Sequence, residues 1–334
     1  MILSSPARLQ PGHWQRDLAE AISDPHELLA LLNLDVAALP GVDTLATFPL
    51  RVTRYFAGLM EQGNPHDPLL AQVLPLRAER LDRPGYTLDP VGDLGAVRQN
   101  AVLQKYHGRA LAIATGACAV HCRYCFRRHF PYSEQSLLGQ WEASLHTLGG
   151  MHDVEELILS GGDPLSLSDA RLAQLIDDVQ RLPQLTRLRI HTRLPVVLPN
   201  RVTPALCDML RNARLRSVIV IHVNHANEIT PQLAASLALL RGAGATLLNQ
   251  SVMLKNINDD ADTLLRLSDA LFAAGALPYY LHLLDPVAGA AHFDVDEERA
   301  RDLLRQLQTK LPGYLVPRLV REIPGAPHKT PVAY

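Results

Sequence analysis

Residues 109–130 read RALAIATGACAVHCRYCFRRHF. The first seven, RALAIAT, are a short apolar run bounded by a turn signal, which predicts a buried strand. Directly after it stand Cys118, Cys122 and Cys125, three of the four cysteines, at the spacing C-x3-C-x2-C and followed by Phe126-Arg127-Arg128. A strand that empties into a loop of three thiols is one βα unit with chemistry at its end. The fold turns on whether the rest of the chain repeats that unit.

It does. Further apolar runs follow: EELILSG (155–161), RLRIHT (187–192), SVIVIHV (217–223), TLLNQSVML (246–254), YYLHLL (279–284) and YLVPRLV (314–320). Helical patterns are predicted between them over 134–148, 168–181, 204–212, 231–241, 261–273 and 296–310. Strands alternating with helices argue for βαβ units and a parallel sheet. About six such units in about 220 residues predict an α/β fold, a partial (βα)6 TIM-type barrel, with a doubly wound open sheet as the rival. In a barrel, active groups belong at the C-terminal ends of strands. The tails of these runs are polar there: Ser160-Gly161-Gly162-Asp163, His191 and Arg193, His222, Asn224 and His225, Asn249 and Gln250, and Asp285.

Upstream the texture differs. Helix-like stretches cover 14–34 and 48–62, with Pro49 suited to a first helical turn. From 63 to 107 a Pro/Gly/Asp-dotted passage reads as loops with short elements. Two regions are therefore expected, an N-terminal helical and loop region over 1–107 and the barrel with its C-terminal tail over 108–334.

Composition narrows the classes. The chain has 334 residues, 47% hydrophobic, enough for a sizeable core, and Lys plus Arg at 32 against Asp plus Glu at 34. A net charge of −2 gives no sequence-wide case for a nucleic-acid partner. No run of eighteen apolar residues implies a membrane span, and MILSSPARLQPGHWQRDL lacks the basic and apolar regions of a secretory signal. Crowded cysteines are no disulfide framework; they point to bound metal in a reducing, cytoplasmic setting.

Three thiolates on one loop can hold three corners of a [4Fe-4S] cluster and leave the fourth iron open for a small ligand. The alternative is zinc, with His121 or His129 as fourth ligand. Cys207, in PALCDMLRN, reads as an ordinary buried helix residue.

C-x3-C-x2-C after the first strand of a βα repeat resembles the radical S-adenosylmethionine enzymes. LSGGDPL (159–165), TRLPVVLPNRVT (192–203), NHANEIT (224–230), NQSVMLKNIND (249–259) and PGAPHKTPV (324–332) sharpen this into a resemblance to the lysine 2,3-aminomutase family. That resemblance implies a [4Fe-4S] cluster on Cys118, Cys122 and Cys125, S-adenosylmethionine cleaved to a 5′-deoxyadenosyl radical, and pyridoxal 5′-phosphate as a radical relay. Ser160, Gly161, Gly162 and Asp163, with His222 and Gln250, are implied to receive S-adenosylmethionine. Lys329 is implied to be the catalytic lysine that forms the aldimine with pyridoxal phosphate, and Arg109 to bind its phosphate. Where the family has a glycine run before that lysine, this chain has Gly325-Ala326-Pro327-His328, a stiffer loop.

For the substrate, the resemblance implies that Arg127 pairs with a carboxylate, in the bidentate geometry that suits guanidinium. Asp285 and Glu322 are implied to hold the distal ammonium of L-lysine, although the family carries aspartate at the second position. The chain stops soon after Lys329, and this short form resembles the branch that supplies (R)-β-lysine for attachment to elongation factor P by a partner ligase. A reduced flavodoxin- or ferredoxin-type donor is implied, with a homo-oligomer left open. Two alternatives stand beside it: a catabolic lysine 2,3-aminomutase, and a metal-stabilised binding module without turnover.

Overall fold

The computed structural model describes residues 13–334 apart from 40, 100, 133 and 135. Most of the stretch read as lacking a secretory signal, residues 1–12, lies outside the described residues. Helices α1 (Trp14–Ala19), α2 (Pro25–Leu31), α3 (Arg54–Ala57) and α4 (Asp93–Ala96) precede the short strands β1 (Val97–Gln99) and β2 (Val102–Leu103). The repeating part then runs β3 (Arg109–Thr115), α5 (Trp141–Gly149), β4 (Glu156–Gly161), α6 (Asp169–Val179) and β5 (Arg187–Thr192). It continues through α7 (Leu194–Val197), α8 (Pro204–Asn212), β6 (Arg216–Ile221), α9 (Pro231–Gly242), β7 (Thr246–Val252) and α10 (Ala261–Ala273). It closes with β8 (Leu277–His282), α11 (Glu297–Lys310), β9 (Arg318–Arg321) and β10 (Thr330–Pro331).

The strands form one ten-stranded sheet in simple chain order, β1 to β10. Each strand from β3 to β8 is parallel to the next, while β1, β2 and β10 add antiparallel edges. A doubly wound sheet reverses its strand order at a switch point; this one never does. The result is a partial (βα)6 barrel whose sixth helix leads into one more parallel strand, β9. β4 is buried at all but its last residue, as parallel strands covered on both faces are.

Local chemistry starts the helices where the sequence marks them. Ser168, Thr203, Thr230, Asp260 and Asp296 each accept a backbone N–H from the first turn that follows, satisfying donors a helix end would leave orphaned. Proline occupies the first turn of α8 and α9, where its missing N–H costs nothing. The helix expected over 134–148 begins only at Trp141, after a 3-10 turn at Leu137–Gly139.

Two N-terminal expectations are corrected. The stretch 14–34 is two short helices, because Ile22 pairs with Val52 as a β-bridge and Asp24 caps a new helix beginning at Pro25. The stretch 48–62 holds only α3, because Val52 is spent on that bridge and Thr53 caps Phe56. Pro49 therefore lies outside any helix, its carbonyl 2.9 Å from His121 Nδ1. Leu28, Phe56, Leu69 and Leu70 share one hydrophobic core with Ile113, Leu159 and Ile190 of the barrel. A second cluster, with Leu264, Leu281, Leu304 and Leu319, seats α10 and α11 on β8 and β9.

Candidate active site

The C-terminal ends of β3 to β9 open onto a cavity of about 440 Å³. Cys118, Cys122 and Cys125 line it from the loop after β3, and Lys329 and Glu322 line it from the chain's last segments. Arg109, Arg127, Ser160, Gly161, Gly162, Asp163, His222, Gln250 and Asp285 line it too, so every site residue expected from sequence faces this one space. Residues as far apart in sequence as Cys118 and Lys329 meet there because parallel strands in chain order bring all their C-terminal ends to one rim.

The thiol end is braced by protein. Cys125 N donates to the Cys122 carbonyl at 3.0 Å, closing a tight turn between two of the sulfurs. Arg193, buried at the end of β5, donates through Nη1 to Cys122 Sγ at 2.8 Å and to the Tyr124 hydroxyl at 2.7 Å. Its Nη2 donates to Gln72 Oε1 at 2.6 Å and to Glu228 Oε2 at 2.9 Å. Burial pushes the Cys118 thiol up and the Cys125 thiol up to about 11. Thiolates there need a cation to offset that cost, as a bound metal does.

His121 and His129 are turned elsewhere. The His121 ring stacks on Phe48 with centroids 5.1 Å apart and meets the Pro49 carbonyl, while His129 Nε2 lies 3.1 Å from the Ala288 carbonyl. Among the described residues no three His, Cys, Asp or Glu side chains converge to hold a single metal ion. With His121 and His129 bonded elsewhere, three thiols of one loop facing a common cavity are the donor set that suits a cluster with one open iron. Cys207 is buried in α8, outside this group.

The Gly161-Gly162 pair is demanded by the cysteine loop itself. Gly161 has φ +117°, and a Cβ there would meet the Thr115 carbonyl oxygen at 2.7 Å. A Cβ on Gly162 would lie 2.4 Å from the Ala117 carbonyl oxygen. Gly162 N donates to Thr115 O at 2.7 Å and Asp163 N to Ala117 O at 2.8 Å, stitching the end of β4 to the first residues of the loop. The Asp163 carboxylate accepts from Thr192 Oγ1 and from the backbone N–H groups of Leu165, Arg193 and Leu194. With four protein donors it fastens the glycine turn to the end of β5. Burial raises its pKa, and those donors oppose the rise.

The opposite end is a chain of charges. Arg127 donates through Nε to Asp93 Oδ2 at 2.6 Å and through Nη1 to Ser160 Oγ at 2.9 Å. Lys105 Nζ lies 2.6 Å from Asp93 Oδ1 and 3.5 Å from Glu322 Oε1. Glu322 also accepts from the Tyr106 hydroxyl at 2.5 Å and from Lys329 Nζ at 2.9 Å. Burial works against the Glu322 anion, but Lys329, Tyr106 and Lys105 hold its carboxyl below the usual range. Burial pushes Asp285 up to about 7; Lys329 pulls it down and Glu322 pushes it further up. Arg109 sits over the Tyr106 ring at 5.1 Å.

Three histidines complete the wall. His222 Nε2 lies 2.8 Å from Gln250 Nε2, and burial drives its pKa down to about 3. Burial likewise keeps His191 and His282 neutral. Their Nε2 atoms are buried without a hydrogen-bond partner in the protein, and each residue lines the cavity. Orphaned polar atoms of this kind are suited to a ligand.

Sequence reasoning missed Asp93, Lys105, Tyr106, Gln72 and Glu228. The first three lie in or beside a passage legible only as loop, and Glu228 lies in a motif whose partner, Gln72, is 156 residues away. No spacing signal joins such positions.

No family model matches the chain. Among curated proteins, it is 47% identical to an L-lysine 2,3-aminomutase of Escherichia coli, over 99% of this chain and 96% of the relative. An L-lysine 2,3-aminomutase of Haemophilus influenzae is 46% identical over 97% of both chains. One from Acetoanaerobium sticklandii is 32% identical over 96% of this chain and 78% of the relative. Among solved structures, a radical SAM methyltransferase from Sphaerobacter thermophilus is similar at 14% identity and a TM-score of 0.45, over 66% of this chain and 68% of that one. Identity of this extent across nearly the whole length makes the chain a member of the lysine 2,3-aminomutase family of isomerases.

Proposed function

We propose that the protein converts free L-lysine to (R)-β-lysine as a radical S-adenosylmethionine, pyridoxal phosphate-dependent 2,3-aminomutase. One observation carries the reading: three thiols of a single loop, Lys329, and an arginine and two acids suited to the two ends of lysine all face one cavity. When bound, the [4Fe-4S] cluster would supply one electron to split the sulfonium C–S bond of S-adenosylmethionine, giving a radical able to take a hydrogen atom from an unactivated C–H bond, and pyridoxal phosphate would supply a carbonyl that captures the migrating amino group.

Cys118, Cys122 and Cys125 hold the cluster, with Arg193 fixing the Cys122 sulfur by a charge-assisted hydrogen bond. Ser160, Gly161 and Gly162 with His222 and Gln250 form the wall against S-adenosylmethionine, and Asp163 keeps that wall in place. Lys329 carries pyridoxal phosphate, with Arg109 as the cation for its phosphate. Arg127 receives the carboxylate of the amino acid. Asp285 and Glu322 receive its distal ammonium, a pairing strengthened where water is excluded. Neutral His191, His222 and His282 keep further positive charge away from Lys329.

The product, in this proposal, serves β-lysylation of elongation factor P in the cytoplasm through a separate ligase, with a flavodoxin- or ferredoxin-type electron donor. The resemblance of the motifs supports this branch. No described helix is long and apolar enough to cross a membrane.

Anaerobic protein incubated with L-lysine, S-adenosylmethionine, pyridoxal phosphate and a chemical reductant is expected to yield β-lysine of a single hand on chiral chromatography. Borohydride treatment followed by peptide mapping is expected to leave a phosphopyridoxyl group on Lys329. Conversion of arginine or glutamate but not lysine would refute the assignment of Asp285 and Glu322.

A further inference from the structure

Lys105 precedes the barrel, in a passage where the sequence carries no motif, yet its ammonium is among the most completely engaged cations in the cavity wall. It lies 2.6 Å from Asp93 Oδ1, donates to the Val91 carbonyl at 2.7 Å, and faces Glu322 Oε1 at 3.5 Å. An ammonium has three N–H donors and no acceptor. Two carboxylates and a carbonyl of the protein surround it, so its charge is answered within the wall. Of its two carboxylate partners, however, one stands directly behind a group that faces the amino acid and the other is such a group. Asp93 grips Arg127 through its other oxygen at 2.6 Å, and Glu322 is itself one of the two acids at the distal end.

We infer that Lys105 is a positioning residue that sets chain-length specificity: by tying Asp93 to Glu322 it fixes the separation between Arg127 and the distal acids, and so selects among α,ω-diamino acids. The inference rests on the reading of Arg127 and Glu322 as the two anchors of the substrate. On this inference a diamino acid one methylene shorter than lysine meets only one anchor at full strength while the spacer holds. Without the spacer the two anchors move independently, and the shorter ligand loses its disadvantage. Asp93 belongs to the same device. Buried between Arg127 and Lys105, it transmits position from one end of the pocket to the other, and both cations hold its carboxyl low against the effect of burial.

The test is calorimetric binding of L-lysine and L-ornithine to anaerobic, pyridoxal phosphate-loaded protein without S-adenosylmethionine, so that no turnover occurs. Wild type is expected to prefer lysine. K105Q is expected to weaken lysine binding roughly tenfold or more, the scale of a lost charged hydrogen bond, and to bring the lysine-to-ornithine ratio close to unity. K105R, which can still bridge two carboxylates, is expected to restore the ratio. D93N cuts the same chain at another link and should narrow the ratio likewise, which covers a K105Q protein that does not fold. A ratio that stays at the wild-type value in K105Q or D93N, whatever the absolute affinity, makes the lysine merely structural and overturns the inference. If wild type binds neither diamino acid, or both equally, the assignment of the anchors falls instead.

Discussion

Replacing Arg193 by methionine tests how the cavity's thiol end is held. Met approximates the length of the side chain while deleting its charge and all its donors. Four contacts go: Cys122 Sγ at 2.8 Å, the Tyr124 hydroxyl at 2.7 Å, Gln72 Oε1 at 2.6 Å and Glu228 Oε2 at 2.9 Å. Gln72 Oε1 keeps a donor in Asn224 Nδ2, and Glu228 Oε1 keeps the N–H groups of Asn224 and His225. Glu228 Oε2, on a side chain fully shielded from solvent, loses its cation. Breaking one side of a buried ion pair costs about 3–5 kcal/mol, because the remaining charge is left uncompensated. Against a typical net stability of about 5–15 kcal/mol that is a large share. At about 1.4 °C per kcal/mol for a chain of 334 residues, thermal unfolding at fixed scan rate should fall by roughly 4–7 °C. The double variant R193M/E228Q removes the orphaned charge and should recover about 1 kcal/mol or more relative to R193M. Iron content after anaerobic reconstitution should fall in both, since both lose the donor to Cys122. An R193M protein that melts within about 3 °C of wild type, or a double variant no more stable than the single one, would refute this account of the buried network.

Asp285 links affinity to pH. Its folded pKa, raised to about 7, exceeds its unfolded value, so between roughly pH 4 and 7 the native state binds the extra proton and stability falls as pH rises through that window. Only the deprotonated form attracts an ammonium, so L-lysine affinity measured by calorimetry should strengthen from pH 6 to 8. D285N should flatten that profile, and a pH dependence unchanged in D285N would remove Asp285 from the ligand's surroundings. G162A should lose iron-sulfur absorbance while keeping its far-ultraviolet circular dichroism, because the new Cβ would sit 2.4 Å from the Ala117 carbonyl oxygen and displace the cysteine loop. G242A, with nothing within 4 Å, is the matched control and should retain the absorbance. Serine at Cys118, Cys122 or Cys125 should each abolish stable iron binding by metal analysis, whereas C207S in α8 should leave it intact.

Much of the fold was legible because its signals are local. Apolar runs of strand length, and caps such as Ser168, Thr203 and Thr230 standing just before amphipathic stretches, write their own boundaries. The N-terminal helices were over-read because what breaks them is distant: Ile22 pairs with Val52, thirty residues on, and no periodicity records such a pairing. The cavity divides the same way. The thiol triplet and the GGD turn are runs of adjacent residues and stand out. The close approach of Gly162 to the backbone of Ala117, which explains why glycine is needed there, is a tertiary fact.

Residue types and spacing alone determined that this chain builds parallel βα units, carries a three-thiol loop at the end of one strand, and places a lysine near its C-terminus. Which charges answer one another was decided only by folding. Asp93 and Lys105 lie more than two hundred residues before Glu322, and folding links the three into one group. The physical reason is range. Backbone propensities and caps act over a few residues, whereas burial removes water from charges wherever the topology brings them together, and in that dry space each must find a partner.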